Sequence, residues 1–95
     1  MYNLHMEYRW NAIKDAALRG DRQVGFDDVV KSLSLGGLLA TMPHPNIDKY
    51  PQQHIYVVEI NGYAYLVPYV LESGSIFLKT IIPSRKATRL YLKKE

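Results

Sequence analysis

Six cations, Lys79, Arg85, Lys86, Arg89, Lys93 and Lys94, crowd into the last 17 residues against Glu95 alone. That segment carries a net +5 in a chain of formal charge +3, so the preceding 78 residues sum to −2. Clustered lysine and arginine suit a polyanion, because they release the counterions condensed on its phosphates. The competing reading is a solvated helix end, where basic side chains oppose the helix dipole.

Beside these cations the chain offers tyrosines and a loop histidine. Metal-free cleavage of an RNA phosphodiester needs a group to deprotonate the 2′-hydroxyl, cations for the charge growing on phosphorus, and a donor for the leaving 5′-oxygen. Arg85 is placed for the second task, since a guanidinium fork holds two phosphate oxygens at once. Lys86 and Arg89 extend the same surface as substrate-binding residues. Lys79 alternates with Phe77 and Ile81 on one strand face, a costly position for a cation unless it borders a cleft or snorkels from an edge. His44 is a candidate acid or base because free imidazole titrates near pH 6.5, although a histidine between Pro43 and Pro45 also suits loop packing. Lys14 can approach phosphate or stay solvated on an amphipathic helix. Tyr56, Tyr63, Tyr65 and Tyr69 can stack unpaired bases, and they are equally ordinary strand residues.

Other chemistries find little support. The chain has no cysteine, which removes a disulfide framework, a thiolate metal site and a cysteine nucleophile together. Gly36 and Gly37 lack the Lys and Ser or Thr of a phosphate loop. The histidines, at positions 5, 44 and 54, lack the short spacing of a helical zinc site. No metal and no cofactor are expected. No apolar run approaches the roughly 20 residues needed to span a bilayer, and His5, Glu7 and Arg9 stand where a signal peptide would be apolar, so a cytoplasmic protein that does not enter membranes is expected. Met6 offers an alternative start. With 95 residues, 47% hydrophobic and 22% charged, one folded domain over residues 1–95 is expected.

The elements that must position these residues read as α+β. A strand is expected around Glu7 to Trp10. Asn11 then caps a helix over Ala12 to Arg19 that stops at Gly20, with Ile13, Ala16 and Ala17 on one face. Phe26, Val29, Val30 and Leu33 follow the helical period in a second helix, with Asp27 and Asp28 in its first turn and Gly36–Gly37 at its end. Leu38 to Met42 reads as a strand, and Pro43 to Gln53, with its three prolines, as an ordered loop long enough to carry function. Asn61–Gly62 joins strands Ile55 to Ile60 and Tyr63 to Leu71 in a hairpin. Glu72 to Ser75 turns into a further strand, Ile76 to Ile82, and a helix follows from Arg85. Pro68 implies an edge strand or a bulge. The sum is an antiparallel sheet of four to five strands, with two N-terminal helices and a C-terminal helix on one sheet face.

The run Ile76 to Pro83, followed by Ser84, Arg85, Lys86, Ala87 and Thr88 and ending in Tyr91, resembles the closing strand and helix of BrnT-like toxins in the RelE superfamily. Tyr8, Arg9, Trp10, Asn11 and Lys14 look like that family's opening, and Val24 to Val29 like its second helix. The resemblance spans about Glu7 to Leu92. It implies a RelE-like fold and a metal-independent endoribonuclease, the toxin of a type II toxin-antitoxin pair, which inhibits translation by cleaving mRNA, on the ribosome or off it, and is held inactive by a cognate antitoxin. It assigns catalytic roles to Lys79, Arg85 and Tyr91. The loop holding His44, Pro45, Asn46, Asp48, Lys49 and Tyr50 is longer than the common pattern, which places the chain in a divergent branch.

Two alternatives use the same features without catalysis. One is an RNA-binding module working through the basic segment; the other is a protein-binding module that captures a partner strand at an exposed sheet edge. For a toxin, an acidic antitoxin segment is expected over Lys79, Arg85 and Lys86.

Overall fold

The computed structural model describes residues 7–93; Met6, Lys94 and Glu95 lie outside them. The chain runs β1 (Glu7–Arg9), α1 (Ala12–Arg22), α2 (Phe26–Ser34), β2 (Leu38–Pro43), β3 (Gln53–Ile60), β4 (Tyr63–Glu72), β5 (Ser75–Leu78), β6 (Ile82–Pro83) and α3 (Arg85–Tyr91).

Local chemistry sets the helix ends. Asn11 Oδ1 accepts from the Lys14 amide at 2.9 Å and starts α1. The helix passes through Gly20, where a stop was expected, and ends at Arg22, with Gln23 taking the left-handed conformation at φ 61°. Its cap amide returns to the Arg19 carbonyl, so the terminating residue is a glutamine that tolerates the turn. At the start of α2 the Asp28 carboxylate accepts from the Gly25 amide at 2.8 Å, and Asp15 of α1 accepts from the Phe26 amide at 2.8 Å. Two orphan amides of α2 are thus satisfied, one of them by the preceding helix. Arg19 joins the helices further through Asp15, Asp27 and Asp28.

The face of α1 that meets the sheet is not the one its sequence suggests. Ile13 is 81% exposed and Ala16 and Ala17 face solvent, whereas Leu18 is 2% exposed. Leu18 joins Val24, Phe26 and Val29 against Val58, Val67, Leu78 and Ile81. Trp10 stacks on Phe26 with ring centroids 5.7 Å apart.

The sheet has the order β1-β5-β4-β3-β2, with β6 pairing β4 beyond β5. It is mixed, not antiparallel as expected, because β1 pairs parallel with β5 through Tyr8↔Ile76 and Arg9↔Phe77. The chain between them, two helices and three strands, serves as the long crossover a parallel pair needs. The β3–β4 hairpin forms as read, Asn61 and Gly62 both adopting positive φ, 52° and 82°.

The expected strand Ile76 to Ile82 is broken. Tyr69↔Leu78 is the first pair of β4 with β5 and Leu66↔Ile82 the last pair of β4 with β6, so Lys79, Thr80 and Ile81 lie opposite only Val67 and Pro68. Pro68 stands in the central strand and has no amide to donate, and its carbonyl accepts from the Lys79 amide at 2.8 Å. The sequence reading of Pro68 as an edge or a bulge resolves to a bulge. Arg22 Nη1 takes up the Ile81 carbonyl at 3.3 Å, and the Ile81 side chain is fully buried.

Helices cover both faces of the sheet, not one. The α1–α2 pair covers the face bearing Val58, Ile60, Val67 and Leu78. On the opposite face α3 places Ala87 against Val57 and Ala64, with Leu66, Met42 and Leu92 around them. No helix among the described residues is long and apolar enough to cross a membrane.

These two α1 positions separate the helix faces by experiment. Leu18→Ala should lower unfolding free energy by about 2–4 kcal/mol, as buried leucine truncations do, and Ile13→Ala should change it by less than about 0.5 kcal/mol. Urea denaturation of the two variants checks both values; equal losses would mean that Ile13 is packed.

Candidate nucleic-acid interface

Ser84 and Thr88 attach α3 to the sheet. Ser84 Oγ accepts from the Ala87 amide at 3.0 Å and caps the helix. The buried Thr88 hydroxyl donates to the Ser84 carbonyl at 2.8 Å and accepts from the Ala64 amide at 2.8 Å. The Ser84 amide returns to the Ala64 carbonyl at 3.0 Å. With Ala87 and Thr88 turned inward, Arg85, Lys86 and Arg89 face solvent on the outer side of the helix. Lys93 follows in the same direction and is also exposed.

Only part of this sheet face lies under α3. Strand register orders the rest in rows. Beyond the covered row of Ala40, Val57 and Leu66 comes Met42, Ile55 and Pro68, and then Gln53, Val70, Phe77 and Arg9. Ile55, Pro68, Val70 and Phe77 are half-buried, and Arg9 is exposed. Tyr8 packs into the α1–α2 core, so alternation turns Arg9 to the α3 side. Lys79 follows buried Leu78 and turns the same way into solvent. The cost anticipated for a lysine among apolar neighbours therefore does not arise.

The two sheet faces differ in how their cations are engaged. On the helical side Arg19 is held by three aspartates and Arg22 by the Ile81 carbonyl. Arg9, Lys79, Arg85, Lys86 and Arg89 make no ion pair with a described residue. A low-charge floor bordered by uncommitted guanidinium and ammonium groups can take up phosphates without first breaking internal pairs.

The sequence candidates thus divide. Arg85, Lys86, Arg89 and Tyr91 share α3, with Tyr91 at 37% exposure, and Lys79 lies on the same side of the sheet. Lys14 is exposed on α1, and Tyr65 packs against the α1–α2 core with Tyr63 edge-on at 5.7 Å. Both lie across the sheet from α3. His44 stays in its loop: Nδ1 accepts from the Asn46 amide at 2.9 Å, and the ring tilts onto Tyr50 at 4.7 Å. With Nδ1 accepting, the proton of the neutral ring sits on Nε2, which is left as a hydrogen-bond donor. Arg9 and Phe77 are the residues sequence reasoning missed, and only the β1–β5 register brings them together.

The α1–α2 side holds its own aromatic cluster. Tyr56 and Tyr69 stack at 4.0 Å, and His54 stacks on Tyr69 at 5.7 Å. Burial pushes the Tyr56 phenol far above its usual range, and the neighbouring Tyr8 and Tyr69 phenols push it further. Burial likewise raises Tyr69. His54 Nδ1 is buried without a hydrogen-bond partner among the described residues. Separately, an open cleft of about 290 Å³ lies between α2 and the β3–β4 hairpin, with Asp28, Lys31, Ser32, Gly37, Glu59 and Asn61 around it. It contains none of the sequence candidates.

Two outcomes follow. Thr88→Val keeps the shape but strands the buried Ala64 amide, and should cost about 1–3 kcal/mol in a denaturant titration; no loss would mean that water reaches this amide. A phenol whose folded pKa exceeds its unfolded value near 10 contributes stability that is complete below about pH 10 and is lost as pH rises toward the folded value. Urea midpoints should therefore fall above about pH 10, and less steeply for Tyr56→Phe; parallel curves would remove Tyr56 as the cause. Searches of family models, curated proteins and solved structures give no match to this chain.

Proposed function

We propose that this chain is a metal-independent endoribonuclease, the toxin of a type II toxin-antitoxin pair, built on a RelE-like variant of the α+β sheet. The observation carrying this reading is the uncommitted cationic surface of Arg85, Lys86 and Arg89, with Lys79 on the same sheet side. RNA supplies its own nucleophile. The 2′-oxygen forms a bond to phosphorus and the bond from phosphorus to the 5′-oxygen breaks; the 2′-hydroxyl proton passes to solvent water and one proton reaches the 5′-oxygen. In this scheme Arg85 and Lys79 hold the charge on the phosphorane, Tyr91 donates to the leaving oxygen, and Lys86 and Arg89 anchor flanking phosphates. His44 belongs to the site only if its loop is brought over the substrate, with Nε2–H as a hydrogen-bond donor. Lys14 and Tyr65, on the far face, contact RNA only where it wraps a sheet edge. The cognate antitoxin is a protein whose acidic segment covers the same cations, and the cell compartment is the cytoplasm.

The commitment of His44 Nδ1 to Asn46 favours a second reading, an RNA-binding module that does not cleave. Induced expression of wild type and Arg85→Ala in bacteria separates the two. Growth arrest with cleaved RNA is expected from wild type, and at least about a hundredfold less cleavage from the variant, the size of a lost oxyanion-type contact. Intact RNA in cells holding folded wild type would overturn the nuclease in favour of the binding module.

A further inference from the structure

We propose that Arg9 and Phe77 form a subsite for an unpaired RNA base, so that this surface takes single-stranded and not duplex RNA; the inference rests on the RNA reading above and names the substrate class. Arg9 and Phe77 are direct partners in the parallel β1–β5 register, and Val70 and then Gln53 continue the row. Phe77 is half-buried, its exposed part facing the sheet surface that α3 leaves open. Ile55, Pro68 and Val70 make the surface between it and α3 apolar. A ring on such a floor offers a π-face that any base can stack on, and an adjacent guanidinium can hold the attached phosphate or stack on the base in turn.

Charge placement fixes the path. Arg9 and Lys79 stand at the rim of the open rows, and α3 carries Arg85, Lys86 and Arg89 beyond them. Leu66 under α3 and Val70 beside Phe77 are four residues apart on β4, about 14 Å at strand rise, so the stacked base and the α3 phosphates belong to neighbouring stretches of one strand. Glu7 and Glu72 lie on the same side, each opposite Ser75, and repel phosphate from that end. The strand is thereby directed from Arg9 toward α3.

A duplex has its base faces buried in the stack, and the deep, narrow major groove of A-form RNA admits no side chain. Only an unpaired base can reach Phe77. Among the described residues β1 is the edge of the sheet, with β5 as its one partner strand.

The test is fluorescence anisotropy with the full chain and two labelled probes: a single-stranded RNA of about ten 2′-O-methylated nucleotides, which cannot supply the attacking hydroxyl, and its duplex. Wild type should favour the single strand. Phe77→Ala should weaken single-strand binding by about tenfold, within the range of lost base stacking, and leave duplex binding unchanged, while Phe77→Trp keeps the affinity. Arg9→Ala should weaken single-strand binding and lower its salt slope by about one. Thermal unfolding of each variant confirms that it is folded, and Phe77→Trp carries the test if Phe77→Ala is not. A wild type that binds and cleaves RNA but prefers the duplex would overturn the subsite alone, as would undiminished single-strand binding by Phe77→Ala or a Phe77→Trp that has lost it. A wild type that binds neither probe would overturn the RNA reading itself.

Discussion

Pro68 sits in the middle of the sheet, where every other residue type would offer its neighbour an amide. The missing donor faces the returning strand, which therefore cannot continue its ladder beyond Lys79. Three residues are spent opposite two, and the chain rejoins β4 at Leu66 and Tyr65 as β6. Much of the molecule depends on that interruption. It sends Lys79 into solvent, turns the Ile81 side chain into the core while Arg22 bonds its carbonyl, and brings Ser84 to Ala64, where α3 is capped and attached.

The terminal helix is short, seven residues, and isolated helices of that length are not stable in water. Its position is maintained by Thr88, whose hydroxyl bonds the Ala64 amide and the Ser84 carbonyl, together with the small contact of Ala87 and Leu92. Because the inner side is spent on attachment, the outer side is left for cations. The opposite half of the molecule uses its charges differently. Arg19 draws three aspartates together between α1 and α2, and Asp15 also bonds the start of α2. Exposed pairs of this kind add little stability one by one, about 0–1 kcal/mol each, and here they link two helices that already share one core.

What the sequence revealed was local. Asn11 and Ser84 mark helix starts because a cap is made within three residues, and Asn61–Gly62 marks the hairpin because its positive φ values are a property of that dipeptide. The misread parts depend on distant partners. Nothing near Glu7 tells that it will run parallel to a strand almost 70 residues later. Ile13 and Leu18 are both plausible inward residues of one short helix, and only the orientation of α1 over Val58 and Leu78 chooses Leu18. Gly20 reads as a stop by residue type, but helix continues until a residue takes the left-handed turn, and Gln23 does so. The basic face of α3 was legible as a charge run, whereas Arg9 and Phe77, distant in sequence, become neighbours only through the register.

A two-faced sheet also limits what one ligand can touch. Charge-run and motif reasoning treats Lys14, Tyr65 and the α3 cations as one set, but the sheet separates them. A polyanion crossing the α3 face meets Arg9, Lys79, Arg85, Lys86 and Arg89 over an apolar floor and reaches nothing on α1. The tyrosines lie mostly on the other side, where Tyr56 and Tyr69 stack on each other with their phenols held neutral by burial. Rings already stacked and desolvated are poor platforms for a base, since binding would have to undo that packing. Of the aromatic side chains on strands, Phe77 alone among those in the described rows combines partial exposure with a guanidinium beside it on the cationic face. In the RNA reading proposed above, recognition is therefore concentrated on the one side of the sheet that the helices leave incomplete.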